Sequence, residues 1–183
     1  MHPDIESVLL TGEIIADRVK ELANSITDDY RGKTPILVGV LKGAFVFLSD
    51  LIRLIPLPCE IDFLATSSYG KASVSSGTVR VLKDLDSNIE GRDILIVEDI
   101  LDSGMTLSYI MNILQSRRPS SLSVCALLDK PDRRRAPVEA RYVGFRAPNE
   151  FLVGYGLDYA GRYRNLPYIG VLKREIYAKE VSS

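Results

Sequence analysis

Apolar positions along this 183-residue chain fall into two kinds of block. In residues 12–26, Ile14, Ile15, Val19, Leu22, Ala23 and Ile26 recur at the spacing of one helix face, so an amphipathic helix is predicted. Pro35–Leu41 (PILVGVL) is a continuous apolar run of strand length, interrupted by Lys42 and Gly43. AFVFLSDLIRLI then reads as a helix ended by Pro56 and Pro58, and Cys59–Ala65 alternates like a strand. Residues 66–79 (TSSYGKASVSSGTV) are rich in Ser and Gly and read as a long mobile loop. A strand at 93–97, a polar loop at 98–104 and a helix from Thr106 to Ser116 follow, the helix stopped by Pro119. Leu122–Leu128 is another apolar strand. Short strands are expected at Arg141–Phe145 and Phe151–Val153, and residues 167–177 should add a last strand or two. The first residues read as a frayed terminus. Continuous apolar strands alternating with helices imply an α/β domain with a parallel sheet covered on both faces.

Composition narrows the partners. Lys and Arg number 23 against 24 Asp and Glu, a net charge of −1, so no basic field draws in nucleic acid. Cys59 and Cys125 sit far apart in apolar segments and read as reduced core residues. The only histidine is His2, which leaves no material for a histidine triad or zinc site. No segment approaches the roughly 20 apolar residues that cross a bilayer, and the N-terminus lacks a signal-peptide pattern. A cytoplasmic protein that binds no membrane is expected.

Polar residues follow the C-terminal ends of three strands: Lys42-Gly43, Glu98–Gly104 and Asp129-Lys130. In open α/β sheets, ligands bind at those ends. In VEDILDSGMTL (residues 97–107), Glu98, Asp99 and Asp102 crowd together despite their mutual repulsion. The turn Asp102, Ser103, Gly104, Met105, Thr106 leads into a helix whose first N–H groups lack internal partners and suit a phosphate monoester. A plain reading stays open, in which Ser103 or Thr106 only caps the helix. Glu98 and Asp99 would repel a phosphate, so they are expected to meet ribose hydroxyls or a cation. A monophosphate, a diol and a magnesium-bound diphosphate occur together in 5-phosphoribosyl 1-diphosphate (PRPP).

VEDILDSGMTL closely resembles the PRPP-binding motif of type I phosphoribosyltransferases. VGVLKGAFVFLSDL, TSSYG, ALLDKPDRR and FLVGYGLDYAGRYRNLPYIGVL resemble segments of the hypoxanthine-guanine branch, so the likeness runs from about residue 36 to 172. It implies a central, mostly parallel sheet flanked by helices, with a small hood formed by the N-terminal segment and about residues 150–183. It further implies transfer of phosphoribose from PRPP to a 6-oxopurine, with Mg2+ as cofactor. By resemblance Asp102 is the general base, and Leu41, Lys42, Gly43 and Arg164 hold pyrophosphate, across a Leu–Lys peptide that can be cis. Ser68 and Tyr69 belong to a closing lid at about 66–79. Lys130 meets the 6-oxo group, Phe151 stacks on the purine and the Leu152 backbone bonds it. Asp158 meets the purine through its backbone and the metal through water, alongside Glu98 and Asp99 as metal residues. A homodimer or homotetramer is expected. Asp129 departs from the residue types expected before Lys130, and either pairs with an arginine or tunes Lys130. Two other classes stay open: a regulator of this fold that binds nucleotides or RNA, for which Arg133–Arg135 speaks, and a transferase for xanthine or a pyrimidine.

Overall fold

The computed structural model describes residues 1–68 and 79–178, leaving aside the side chains of Ser68 and Val79. In chain order its elements are β1 (Ile5–Leu10), α1 (Gly12–Asp29), β2 (Ile36–Leu41), α2 (Phe45–Ile52), β3 (Glu60–Ser68), β4 (Val79–Lys83), β5 (Asp93–Leu101), α3 (Met105–Ser116), β6 (Ser121–Asp129), β7 (Tyr142–Arg146), β8 (Leu152–Val153), β9 (Ile169–Leu172) and α4 (Arg174–Tyr177).

The apolar runs form the centre of a six-stranded sheet, ordered β4-β3-β2-β5-β6-β7. Its neighbours pair in parallel except for β3 and β4. Side chains on a strand alternate between faces, so each central strand feeds two cores. Leu37, Leu95, Val97, Cys125 and Leu127 pack under α1 and α2. Ile36, Val38, Ile94, Ile96, Val124 and Ala126 pack against Leu107, Ile110 and Leu114 of α3. This covering of both faces is why the strands read as unbroken apolar sequence. Buried Cys125 is reduced, as expected; Cys59 is also a free thiol but only half-buried.

A second, antiparallel sheet of order β1-β9-β8 makes the expected hood. It corrects the expectation of a frayed N-terminus. Ile5 is buried, Asp4 O accepts from Lys173 N at 3.0 Å, and the Tyr163 hydroxyl donates to Asp4 Oδ2 at 2.7 Å. Three other differences are local. β5 runs on through Leu101, absorbing half of the predicted polar loop, because its parallel pairing with β6 continues to Leu101↔Asp129. β4 lies where no strand was predicted and pairs with β3 from Ala65 to Ser68. Residues 174–177 form α4 instead of more strand. Tyr69 and most of the predicted lid lie outside the described residues. Among the described residues no helix is long and apolar enough to cross a membrane.

Candidate active site

The end of β5 sets the geometry. Continuing the alternation of Ile94–Val97 puts Glu98 on the α3 face and Asp99 on the face of α1 and α2, where it meets Gly43; the alternation then breaks, with Ile100 packing on the core of α1 and α2 and Leu101 on that of α3. The two carboxylates therefore diverge. Glu98 is only 9% exposed, and burial, then the charge of Asp99, drives its pKa well above the carboxylate range. Asp99 is pushed up to about 6, first by burial and further by Asp158, against the opposing pull of backbone N–H groups and Arg164.

Asp99 is held where three loops meet. Its Oδ1 accepts from Ile100 N at 2.8 Å. Gly43 lies so close that a Cβ there would fall 1.7 Å from Asp99 Oδ2. A Cβ on Gly156 would in turn fall 2.2 Å from Gly43 O. The loop after β2, the end of β5 and the hood loop are thus in direct contact. The Leu41-Lys42 peptide is cis, and Lys42 is exposed. Arg164 is engaged within the hood: Nη2 lies 2.7 Å from Asp158 Oδ1 and Nη1 donates to Gly156 O at 2.6 Å.

The turn after β5 has the predicted form. Gly104 adopts φ +77° at the N-cap of α3, and the first full helical bond is Ser108 N to Gly104 O at 2.8 Å. Thr106 N and Leu107 N precede that bond, as the free donors of a helix start do. The turn is clamped from behind by residues 133–136. Arg135 N and Ala136 N donate to Ser103 O at 2.9 and 3.2 Å, and Arg134 Nη1 donates to Asp102 O at 3.1 Å. Asp129 answers the open question of its role by pairing with Arg134. Arg133 Nε lies 3.0 Å from Asp102 Oδ1. This clamp escaped the sequence reading; the RRR run signalled charge, and only the tertiary arrangement turns two of its arginines inward onto the turn.

A cavity of about 410 Å³ opens beside these groups, lined by the predicted residues Asp99, Asp102, Lys130, Phe151, Leu152 and Asp158, and also by Arg133 and Tyr177. Lys130 is 5% exposed, its Nζ donates to Glu150 O at 2.7 Å, and burial lowers its pKa against the raising effect of Asp102. Leu152 opposes Val171 in β9, and Leu172 N donates to Phe151 O at 2.8 Å. In an antiparallel ladder this makes Leu152 a non-bonded position, so its N–H and C=O face the open edge of β8. Glu98, Leu41, Lys42, Gly43, Ser103, Gly104, Met105, Thr106 and Arg164 do not line this cavity. Among the described residues, no group of three or more His, Cys, Asp or Glu is placed to hold a metal by itself.

A family profile described as a phosphoribosyl transferase domain matches residues 7–160. Over 177 residues the chain is 54% identical to the hypoxanthine-guanine phosphoribosyltransferase of Bacillus subtilis, covering 97% of this chain and 98% of that one. The chain belongs to the hypoxanthine-guanine phosphoribosyltransferases. A crystal structure of a hypoxanthine phosphoribosyltransferase from Staphylococcus aureus matches with a TM-score of 0.93 at 54% identity, over 97% of this chain and 96% of that chain. The chain also aligns at 52% identity with the bifunctional protein TilS/HprT of Listeria innocua, spanning 98% of itself but only 28% of that longer protein. Membership of this phosphoribosyltransferase family bears out the α/β architecture read from the sequence.

Proposed function

We propose that this protein transfers the phosphoribosyl group of PRPP to N9 of hypoxanthine or guanine, giving IMP or GMP and pyrophosphate. One observation carries the reading: a single cavity is lined both by the carboxylates Asp99 and Asp102 and by Lys130, Phe151 and Leu152 on its unpaired strand edge. The turn Asp102–Thr106 anchors the 5-phosphate on free helix-start N–H groups. Asp99, which lines the cavity, takes the ribose hydroxyls, and buried Glu98 adds its charge from behind the strand. Negative charge there favours the cationic character that the ribosyl carbon acquires as the diphosphate leaves.

Lys130 selects the base. An ammonium only donates, so it matches a 6-oxo acceptor and leaves an amino group unpaired. Phe151 offers a face to the purine ring and the edge groups of Leu152 bond its rim, with the Asp158 backbone at the 2-position. Asp102 accepts the purine N7 proton. Its contact with Arg133 has the distance of an ion pair but not the alignment of a hydrogen bond. Lys42, Gly43 and Arg164 face the leaving pyrophosphate.

The residues fit magnesium in the way this ion is usually held, through one or two carboxylates plus substrate oxygens. Asp99 and Asp158 are close enough to raise the Asp99 pKa, and a cation would relieve that repulsion. Magnesium bound with the diphosphate supplies charge neutralisation to the leaving group. The protein is read as a cytoplasmic homodimer or homotetramer; sedimentation as a monomer at micromolar concentration would refute the assembly. The activity is tested by following pyrophosphate release from PRPP and magnesium with hypoxanthine, guanine, xanthine and adenine. Turnover with the first two and not with adenine is expected. Equal turnover with adenine, or none with any base, would overturn the reading.

A further inference from the structure

Tyr155 stands in the left-handed region at φ +50°, between Gly154 and Gly156, both at φ +99°. A bulky residue is rare there, and such a backbone persists only where its surroundings over-determine it. Main-chain bonds hold it on the hood side: Tyr155 N donates to Leu166 O at 2.9 Å and Gly156 N to Arg164 O at 3.0 Å. Its ring is buried in the core under α1 and α2, where the hydroxyl donates to Asp50 Oδ2 of α2 at 2.6 Å. Burial first, and the bond to Asp50 next, push the phenol pKa up, so it stays a donor. The next residue touches the start of the same helix: a Cβ on Gly156 would fall 2.2 Å from Gly43 O and 3.7 Å from Val46 Cβ. The hood turn thus meets α2 at its root and again at Asp50, about one helical turn beyond Val46.

We propose that Tyr155 is a positioning residue for the diphosphate loop: its hydroxyl, through Asp50, fixes the hood turn 154–156 against α2, so that Gly156 holds Gly43 and Arg164 in place. The inference rests on the reading of Lys42-Gly43 and Arg164 as the pyrophosphate site. Gly156 meets both. It backs the Gly43 carbonyl, while Asp99 presses on Gly43 from elsewhere, and its own carbonyl accepts from Arg164 Nη1 at 2.6 Å. Without the phenol bond the ring keeps its place in the core, but the turn loses its polar tie to α2. A left-handed tyrosine backbone can then relax, and Gly156 moves with it. Leu152 and Val153 are held separately, by their pairing with β9.

Full-length protein carrying Tyr155→Phe, which removes only the hydroxyl, tests this beside Asp50→Ala and Asp50→Asn. The readouts are KM for PRPP and for hypoxanthine, and calorimetric Kd for pyrophosphate with magnesium and for GMP. Loss of a hydrogen bond to a charged group should raise PRPP KM and pyrophosphate Kd of Tyr155→Phe by about 3- to 30-fold. Hypoxanthine KM and GMP Kd should stay near wild type. Asp50→Ala should match Tyr155→Phe, and combining the two should add little, because both break one bond. Asp50→Asn keeps an acceptor of about half the strength and should fall between. Wild-type PRPP KM and pyrophosphate Kd in Tyr155→Phe would overturn the inference. So would equal weakening of GMP and pyrophosphate, as a general structural defect, and so would losses that simply add in the double variant. Wild-type protein that binds GMP but no magnesium pyrophosphate would overturn the reading of the loop itself.

Discussion

Adding a single methyl group at Gly43 tests the meeting of the three loops most directly. The Cβ of Gly43→Ala would lie 1.7 Å from Asp99 Oδ2 and 2.4 Å from its Cγ, where real Cβ atoms keep at least 3.0 Å. Something must therefore give by roughly 1.3 Å. Asp99 resists because its other oxygen is bonded to Ile100 N. The Gly43 loop resists because Gly156 backs its carbonyl. Overpacking of this kind costs about 1–3 kcal/mol. At about 2–4 °C per kcal/mol for a chain of this size, Tm should fall by roughly 2–12 °C. A misplacement of about 1 Å at a reacting centre costs on the order of 100-fold in rate, so kcat/KM for PRPP should drop to that extent. A thermal-unfolding cycle with Asp99→Ala isolates the cause: in that background the methyl group has room, and the Tm loss should largely vanish. An equal Tm loss with and without the Asp99 carboxylate would refute the reasoning, as would near wild-type activity and Tm in Gly43→Ala.

Asp102→Asn should lower turnover by about 10²–10⁴-fold while PRPP still binds, and unchanged steady-state turnover would remove Asp102 from proton transfer. The Asp99 pKa, raised from 3.8 to about 6, means that the fold favours the protonated acid, so its stabilising contribution is complete below about pH 4 and is lost as pH rises through about 6. Ligand-free Tm should therefore decline across that window, less so in Asp99→Asn, and calorimetric PRPP–magnesium affinity should weaken below pH 6; a flat profile for both would contradict the assignment. Arg134→Met removes one member of a largely buried ion pair and the donor to Asp102 O, which should cost about 1–3 kcal/mol by denaturant unfolding and raise PRPP KM. A loss confined to stability, with PRPP KM unchanged, would show that the clamp does not position the turn.

The centre of the fold was legible because local pattern and tertiary burial agree there. Val97 and its neighbours are apolar on both faces since helices cover both, and Gly104 marks a turn that needs positive φ. The hood was expected from resemblance alone, because its pairing is distant. Ile5 meets Leu172, and no local signal in IESVLL announces a partner so far along the chain. Glu98 and Asp99 were placed together because residues 98–104 read as a loop. Once they continue a strand, neighbouring side chains leave towards opposite faces, and Asp99 meets Gly43 on the α2 side. Lys130, Phe151 and Leu152 were found by resemblance and do line one cavity, whereas Tyr177, one turn beyond the last recognised motif, carries no signal until its ring is seen on Phe151.

The hood sheet places the first strand of the chain against the last, and β8 on the far side of that seam. On a translating ribosome the six-stranded sheet has all its strands once Arg146 has been made, whereas β1 waits for residues 169–172 before its partner exists. The half of the molecule that carries the Asp102–Thr106 turn can thus mature while the hood that carries Phe151 and Leu152 is still unfinished. Tags or truncations at either terminus should accordingly disturb the wall of the cavity at Phe151 and Leu152 before they disturb the Asp102–Thr106 turn.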